Sequence, residues 1–368
     1  MLTWGDEYPI HQTPEPVWVA GSDRNFYDRY FFNGYSRDGS VFFGASFGVY
    51  PHLNIMDGAF SVLKDGVQKS VHLSRIMNHE RMDVRVGPMK IEVLQPLHSI
   101  KITLDNAEGI SAELTFEGRH FPVEEPRFQR RNGSRTVMDV TRMTQNGRWS
   151  GWIEVDGDRV GVSSDDFFGT RDRSWGVRPI GAQDAQPVVP EKPWQFYWVW
   201  TPLNFENLAL YFHVNEDEKG DSWNTRAVLA MDGAGADGLL HLHDPKFTAE
   251  YDAGTRRIRK GLLTVTDGQG RQHKVHYEPI SVFQMKGIGY SHPNWAHGVY
   301  KGEYAIERED FKPEVMPWNQ PDNLHIQAIT KVRHEGPDGQ GSEGIGALDS
   351  TMTGQLPSSS WHRMTLTP

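Results

Sequence analysis

Turn signals break this chain into short runs, spaced roughly every 8–12 residues, and between them apolar residues alternate with a period of two. Asp38-Gly39, Asp65-Gly66 and Gly87-Pro88 each separate two such runs. Before residue 190 a helical period persists almost nowhere, and 73–82 is the one short helix candidate. That rhythm commits the chain to antiparallel sheet, because a period of two lines one face of a strand and cannot line one face of a helix. Residues 26–35 and 41–50 show it best: they read as an aromatic-rich β-hairpin around Asp38-Gly39.

The second half repeats the pattern. Residues 194–201 and 208–214 form another aromatic pair about a polar turn, and a meander of alternating runs follows. A chain of 368 residues is too long for one ordinary core and comfortable for two. The expected fold class is therefore all-β, with two antiparallel barrel or sandwich domains packed side by side. The first spans 1–183, a Pro-rich linker covers 184–193, and the second spans 194–368. Closing each sheet into a barrel would remove its edges.

Composition narrows the function. There is no cysteine, so disulfides, thiolate metal sites and thiol nucleophiles are excluded. The first nine residues carry neither a basic cluster nor an apolar run, unlike a secretory signal. Together these fit a reducing, cytoplasmic setting. No run approaches the ~18 apolar residues of a membrane span. A net charge of −10 argues against nucleic acid as a partner. Dinucleotide and P-loop fingerprints are missing, as is a Gly-x-Ser-x-Gly nucleophile elbow.

Three constellations could carry chemistry. The densest is Phe168-Gly-Thr-Arg-Asp-Arg-Ser-Trp-Gly-Val-Arg-Pro179, just before the linker, where a cleft between two units would form without extra construction. Its acid, Asp172, stands among Phe167, Phe168, Trp175, Arg171 and Arg173. Partial burial would raise its pKa, and the arginines would pull the other way. The second is the loop Gly287-Ile-Gly-Tyr-Ser-His-Pro-Asn-Trp-Ala-His-Gly298. It offers His292 and His297 as proton carriers, with Tyr290 and Trp295 between them. A spacing of five, with no third ligand in view, makes it a poor metal site, and no metal is expected. The third is the opening strand, whose Asp28, Tyr30 and Phe32 share one face and whose Tyr27, Arg29, Phe31 and Asn33 share the other. Solvated turns and structural ion pairs would explain each cluster equally simply.

The segment 169–176, with its Asp-x-x-Trp-Gly at Asp172 to Gly176, resembles the two-domain lipocalin-like proteins related to AttH and to bacterial carotenoid 1,2-hydratases. Residues 145–157 resemble the strand that leads into that signature, and residues 27–34 resemble the aromatic first strand. The resemblance implies two lipocalin-like β-domains and a cavity for a hydrophobic small molecule, often isoprenoid or polyketide. It implies chemistry without metal or organic cofactor: a hydratase or dehydratase, isomerase or cyclase that protonates an alkene or alcohol. Asp172 matches the acid of the hydratases. Thr170 stands where those hydratases carry tyrosine, which puts carotenoid hydration itself in doubt. On this reading His292 or His297 relays the proton, Asp28 is a further catalytic carboxylate, and Trp175, Tyr290, Trp295, Tyr30 and Arg173 contact substrate. The alternative is a lipocalin-type carrier that binds a lipophile and leaves it unchanged.

Overall fold

The computed structural model describes residues 2–354 apart from Ala20, Ser22, Pro187, Val188 and 191–194, so the expected linker at 184–193 falls partly outside it. The first thirteen strands are β1 (Phe26–Ser36), β2 (Val41–Tyr50), β3 (Ile55–Lys64), β4 (Val67–Ile76), β5 (Arg85–Val86), β6 (Met89–Gln95), β7 (Ser99–Ala107), β8 (Ile110–Gly118), β9 (Val123–Glu124), β10 (Phe128–Asn132), β11 (Arg135–Val155), β12 (Asp158–Val162) and β13 (Phe167–Val177). The rest are β14 (Gln195–Phe205), β15 (Leu208–Glu216), β16 (Ser222–Met231), β17 (Leu240–Tyr251), β18 (Ile258–Thr266), β19 (Gln272–Gln284), β20 (Tyr304–Phe311), β21 (Ile326–Glu335) and β22 (Gly341–Gly354).

Two antiparallel sheets result, and the turn signals fall where the hairpins are. β1 and β2 pair with Tyr35 opposite Phe42, and β3 and β4 pair with Lys64 opposite Val67. The second sheet closes into an eight-stranded barrel of β14 to β19, β21 and β22. The first curls without closing, in the order β20-β4-β3-β2-β1-β13-β11-β8-β7-β6-β5. One of its strands is borrowed: β20, between two barrel strands in sequence, pairs with β4, with Tyr304 opposite Arg75. The short helix expected over 73–82 is not formed. Leu73 and its neighbours continue β4, which is held by ladders on both sides, and Asn78 and His79 turn the chain at positive φ. Hydrogen bonds to two neighbouring strands outweigh a weak local helical pattern.

Strand alternation sorts most buried apolar side chains into three clusters, with a smaller fourth around Tyr27, Tyr50, Phe128 and Val140. Phe32, Phe43, Phe47, Phe116 and Trp149 fill the curl of the first sheet. Tyr197, Val199, Phe212 and Leu263 belong to the cluster that fills the barrel. Phe31, Phe42, Phe168, Trp198, Trp200 and Phe283 form a third cluster between the two. Three glycines meet across adjacent strands, Gly34 opposite Gly169 and Gly169 opposite Gly147. They make room for Trp149, whose indole N–H donates to Asn33 O at 2.9 Å. A Cβ at Gly169 would lie 2.3 Å from that indole nitrogen, so the glycine is required by packing.

Candidate active site

The two filled cores leave the functional space between the sheets. A cavity of about 440 Å3 lies there, walled by Tyr27, Phe31, Phe196, Trp198, Trp200 and Tyr290 among others. Its location follows from parity. On β14, Tyr197 and Val199 point into the barrel, so Phe196, Trp198 and Trp200 point out of it. On β13, Phe168, Thr170, Asp172 and Ser174 share the face opposite Phe167, Arg171 and Arg173.

Asp172 sits mid-strand, paired with Phe31 of β1 and Thr144 of β11, and it lines the cavity. It is 7% exposed, and its Oδ1 has no hydrogen-bond partner. Two carboxyl groups compete there for one guanidinium. Glu125 Oε2 takes the Nε–H of Arg142 at 2.8 Å, while Asp172 Oδ2 is left 3.8 Å from Arg142 Nη1. Glu125 also accepts from Thr144 Oγ1 at 2.6 Å and from the Trp200 indole N–H at 3.2 Å. Burial acts to raise Glu125, but Arg142, His213 and Thr144 outweigh it and hold the group below its ordinary value. Burial pushes Asp172 up to about 6; the pull of Arg142 opposes that rise and the charge of Glu125 adds to it. Arg142 stays charged despite burial because both carboxyl groups face it.

The other polar end of the cavity is a histidine–carboxylate pair. His325 Nε2 is 2.9 Å from Asp349 Oδ1, and Gln327 donates to Asp349 Oδ2 at 2.9 Å. All three line the cavity. The Tyr290 ring stands edge-on to His325 and to His297, each at 4.7 Å between centroids.

Of the residues singled out by sequence, the structure brings Asp172 and Tyr290 together at this cavity. His297 lies just behind Tyr290: its Nε2–H donates to Ile288 O at 3.0 Å, and its Nδ1 accepts from Arg29 Nη1 at 3.1 Å. Burial and then Arg29 push it well below the usual histidine range, so it is a neutral structural group. Asp28, Tyr30 and Arg173 do not reach the cavity. They occupy the opposite face of β1 and β13, where Asp28 pairs with Arg173 and, at 3.7 Å, with Arg81. Arg173 also lies 4.2 Å above the Tyr30 ring. The sheet therefore stands between Asp28 and Asp172, which removes any shared role at one bond. Trp175, on that same far face, is 40% exposed.

His292 and Trp295 fold away into a separate cluster. His292 Nε2 is 3.4 Å and His72 Nε2 is 3.1 Å from Glu309 Oε1, and Trp295 stacks on His72 at 5.6 Å. The three ionisable groups are close enough to suggest a metal site. The hydrogen bonds argue otherwise. His292 Nδ1 accepts from the backbone N–H of Asn294 at 3.0 Å and of Trp295 at 2.7 Å. The ring proton is thereby placed on Nε2, facing Glu309, which is the nitrogen a metal would need bare.

The residues that sequence reasoning missed are Glu125, Arg142, His325 and Asp349; Arg178 stood in the stretch 168–179 without a role. The four come from separate segments, and only strand pairing unites them. The one available signal was parity: Tyr27, Arg29 and Phe31 share a face of β1, and that face proves to be the cavity's.

A curled antiparallel sheet, a closed eight-stranded barrel and a ligand-sized cavity between them define an all-β, two-domain lipocalin-like fold. The chain is similar to the solved structure of CghA with Sch210972, at 12% identity and a TM-score of 0.54, with 92% of each chain covered. It is similar to a Nitrosomonas europaea protein described as AttH, at 13% identity and TM-score 0.51, covering 93% of this chain and 98% of that one. Kievitone hydratase from Nectria haematococca matches at 11% identity and TM-score 0.48 over 88% and 89%. By sequence, no curated protein matches. The chain belongs to the family of unknown function DUF8625, whose model matches residues 2–361. No helix among the described residues is long and apolar enough to cross a membrane.

Proposed function

We propose that this protein is a cofactor-independent acid–base enzyme, a hydratase or dehydratase, isomerase or cyclase, acting on a hydrophobic terpenoid or polycyclic molecule held between its sheets. One observation carries the reading. Glu125 and Asp172 face the same arginine, and their surroundings drive their protonation apart, with Glu125 kept ionised and Asp172 raised to about 6. Such a split assigns an acid. Asp172 in its neutral form can donate from an oxygen that has no partner in the protein, beside a wall of aromatic rings. A proton delivered to an alkene carbon leaves a cation, which the surrounding ring faces stabilise. Water adding to that cation gives up its proton to His325, whose other role is fixed by Asp349. Dehydration is the same sequence reversed. That CghA is solved with Sch210972 supports a small molecule as the occupant of this fold.

The test compares molecules that copurify with wild type and with Asp172→Asn, by native mass spectrometry and extraction. The acid reading expects a product-like molecule in wild type, altered from the one the variant retains. If both hold the same unaltered molecule, the protein is a carrier and Asp172 is not its acid.

A further inference from the structure

The cavity holds more guanidinium groups than its carboxylates pair: Asp172 lies in the field of Arg29 and Arg178 as well as Arg142, yet its one ion pair among the described residues is with Arg142. Arg29 is 1% exposed, and its Nε and Nη2 have no acceptor. Arg178 lines the cavity itself. Both guanidinium groups lie over one ring: Arg29 is 4.3 Å and Arg178 5.6 Å from the Tyr290 centroid. Arg178 is also 5.4 Å from the Tyr27 centroid. Among the described residues, neither arginine forms an ion pair with a carboxylate, whereas Arg142 has Glu125 and Asp172. The tyrosines around them supply no negative charge, since burial raises Tyr27 and Tyr50 above their ordinary values. Asp57 lies within the field of Arg29, but it is occupied by Tyr50 Oη at 2.9 Å and Gly298 N at 2.7 Å. His325 answers to Asp349.

Proteins rarely keep buried cations without a counter-charge, because desolvation opposes them. Here Arg178 lines an otherwise largely aromatic cavity with Arg29 behind it across the Tyr290 ring, and neither has an ion-pair partner among the described residues. We propose that the ligand is a lipophile with one acidic head, an oxyanion shared over two oxygens as in a carboxylate or an enolised 1,3-dicarbonyl, seated on Arg178 between Tyr27 and Tyr290. A planar guanidinium fork matches two oxygens in one plane. The apolar body then runs along Phe196, Trp198 and Trp200 toward Asp172. This rests on the cavity being the substrate site proposed above, and it specifies the substrate's polar end.

Three probes test it at pH 7 by quenching of tryptophan fluorescence: farnesoic acid, 2-geranylcyclohexane-1,3-dione and the neutral farnesol. Wild type is expected to bind at least one of the two acids about tenfold or more tighter than farnesol. The acid that wins identifies the head group. In Arg178→Met that preference falls to within about threefold, while farnesol affinity stays unchanged and reports an intact cavity. Farnesol binding as tightly as both acids overturns the proposal, as does no binding of any probe. Equal loss of all three in the variant overturns it too, since that marks packing rather than charge. Should Arg178→Met fail to fold, the wild-type ratio decides by itself. Asp172→Asn separates the two claims: it keeps the preference for the acid, so normal turnover by that variant would remove Asp172 as the acid and leave the anion subsite standing.

Discussion

Replacing Asp172 by asparagine should make this protein more stable, and the gain should depend on pH. The carboxyl is buried and its pKa rises from 3.8 to about 6 on folding. A raised acid binds its proton more tightly in the folded state. Its contribution to stability is therefore full below pH 3.8 and is lost as pH climbs through 6. A shift of about 2 units corresponds to about 3 kcal/mol of destabilisation above pH 7. Asparagine mimics the protonated acid in shape and never ionises, so Asp172→Asn should exceed wild type by about 3 kcal/mol at pH 8 and match it near pH 4. Urea unfolding at both pH values, followed by circular dichroism, measures the difference. A gain of equal size at both pH values, or none at pH 8, would refute the argument that burial raises the Asp172 carboxyl to about 6. A stabilising substitution that abolishes turnover is the signature of strain kept for chemistry.

Glu125→Gln should act twice. It leaves the buried Arg142 without its 2.8 Å partner, at a cost of about 3 kcal/mol in denaturant unfolding. It also removes a charge that raises Asp172, so the acid limb of any activity profile should move below its wild-type position; an unmoved limb would sever the two carboxyl groups functionally. In wild type, turnover on a responsive substrate should decline about tenfold per pH unit above about 6, as the acid form of Asp172 disappears. A rate that rises with pH through that range would count against Asp172 as donor.

The fold was legible because its signals are local. Asp38-Gly39 and Asp65-Gly66 each announce a hairpin, and the aromatic runs beside them alternate as the strands do. The candidate acid was legible for a related reason: Asp172 stands in a motif whose charge and rings are adjacent in sequence. Its partners were not. Glu125 and Arg142 reach Asp172 only through the pairing of β9 and β13 with β11, and no local pattern reports that register. Parity also misleads when read without a register. Asp28 and Arg173 look like site residues because they flank the aromatic positions, yet the pleat turns them to the far side. The loop at 289–298 defeats prediction differently, since without a repeating backbone period nothing tells which histidine faces which neighbour. There His297 turns toward Arg29 and His292 toward Glu309.

The borrowed strand bears on how anything enters. Besides the segment after β13, the chain crosses between the units twice more, leaving the barrel after β19, laying β20 along β4, and returning to β21. Gln68 of β4 clamps the point of departure, exchanging hydrogen bonds with the backbone of Gln284 at 2.8 and 2.9 Å. Swinging the units apart like the covers of a book would strip an eight-residue ladder from the sheet edge. The stretch between β20 and β21 supplies Pro321 and Leu324 to the cavity wall. Entry of a ligand by parting the two sheets is opposed by that ladder, so the pair behaves as one frame around the cavity.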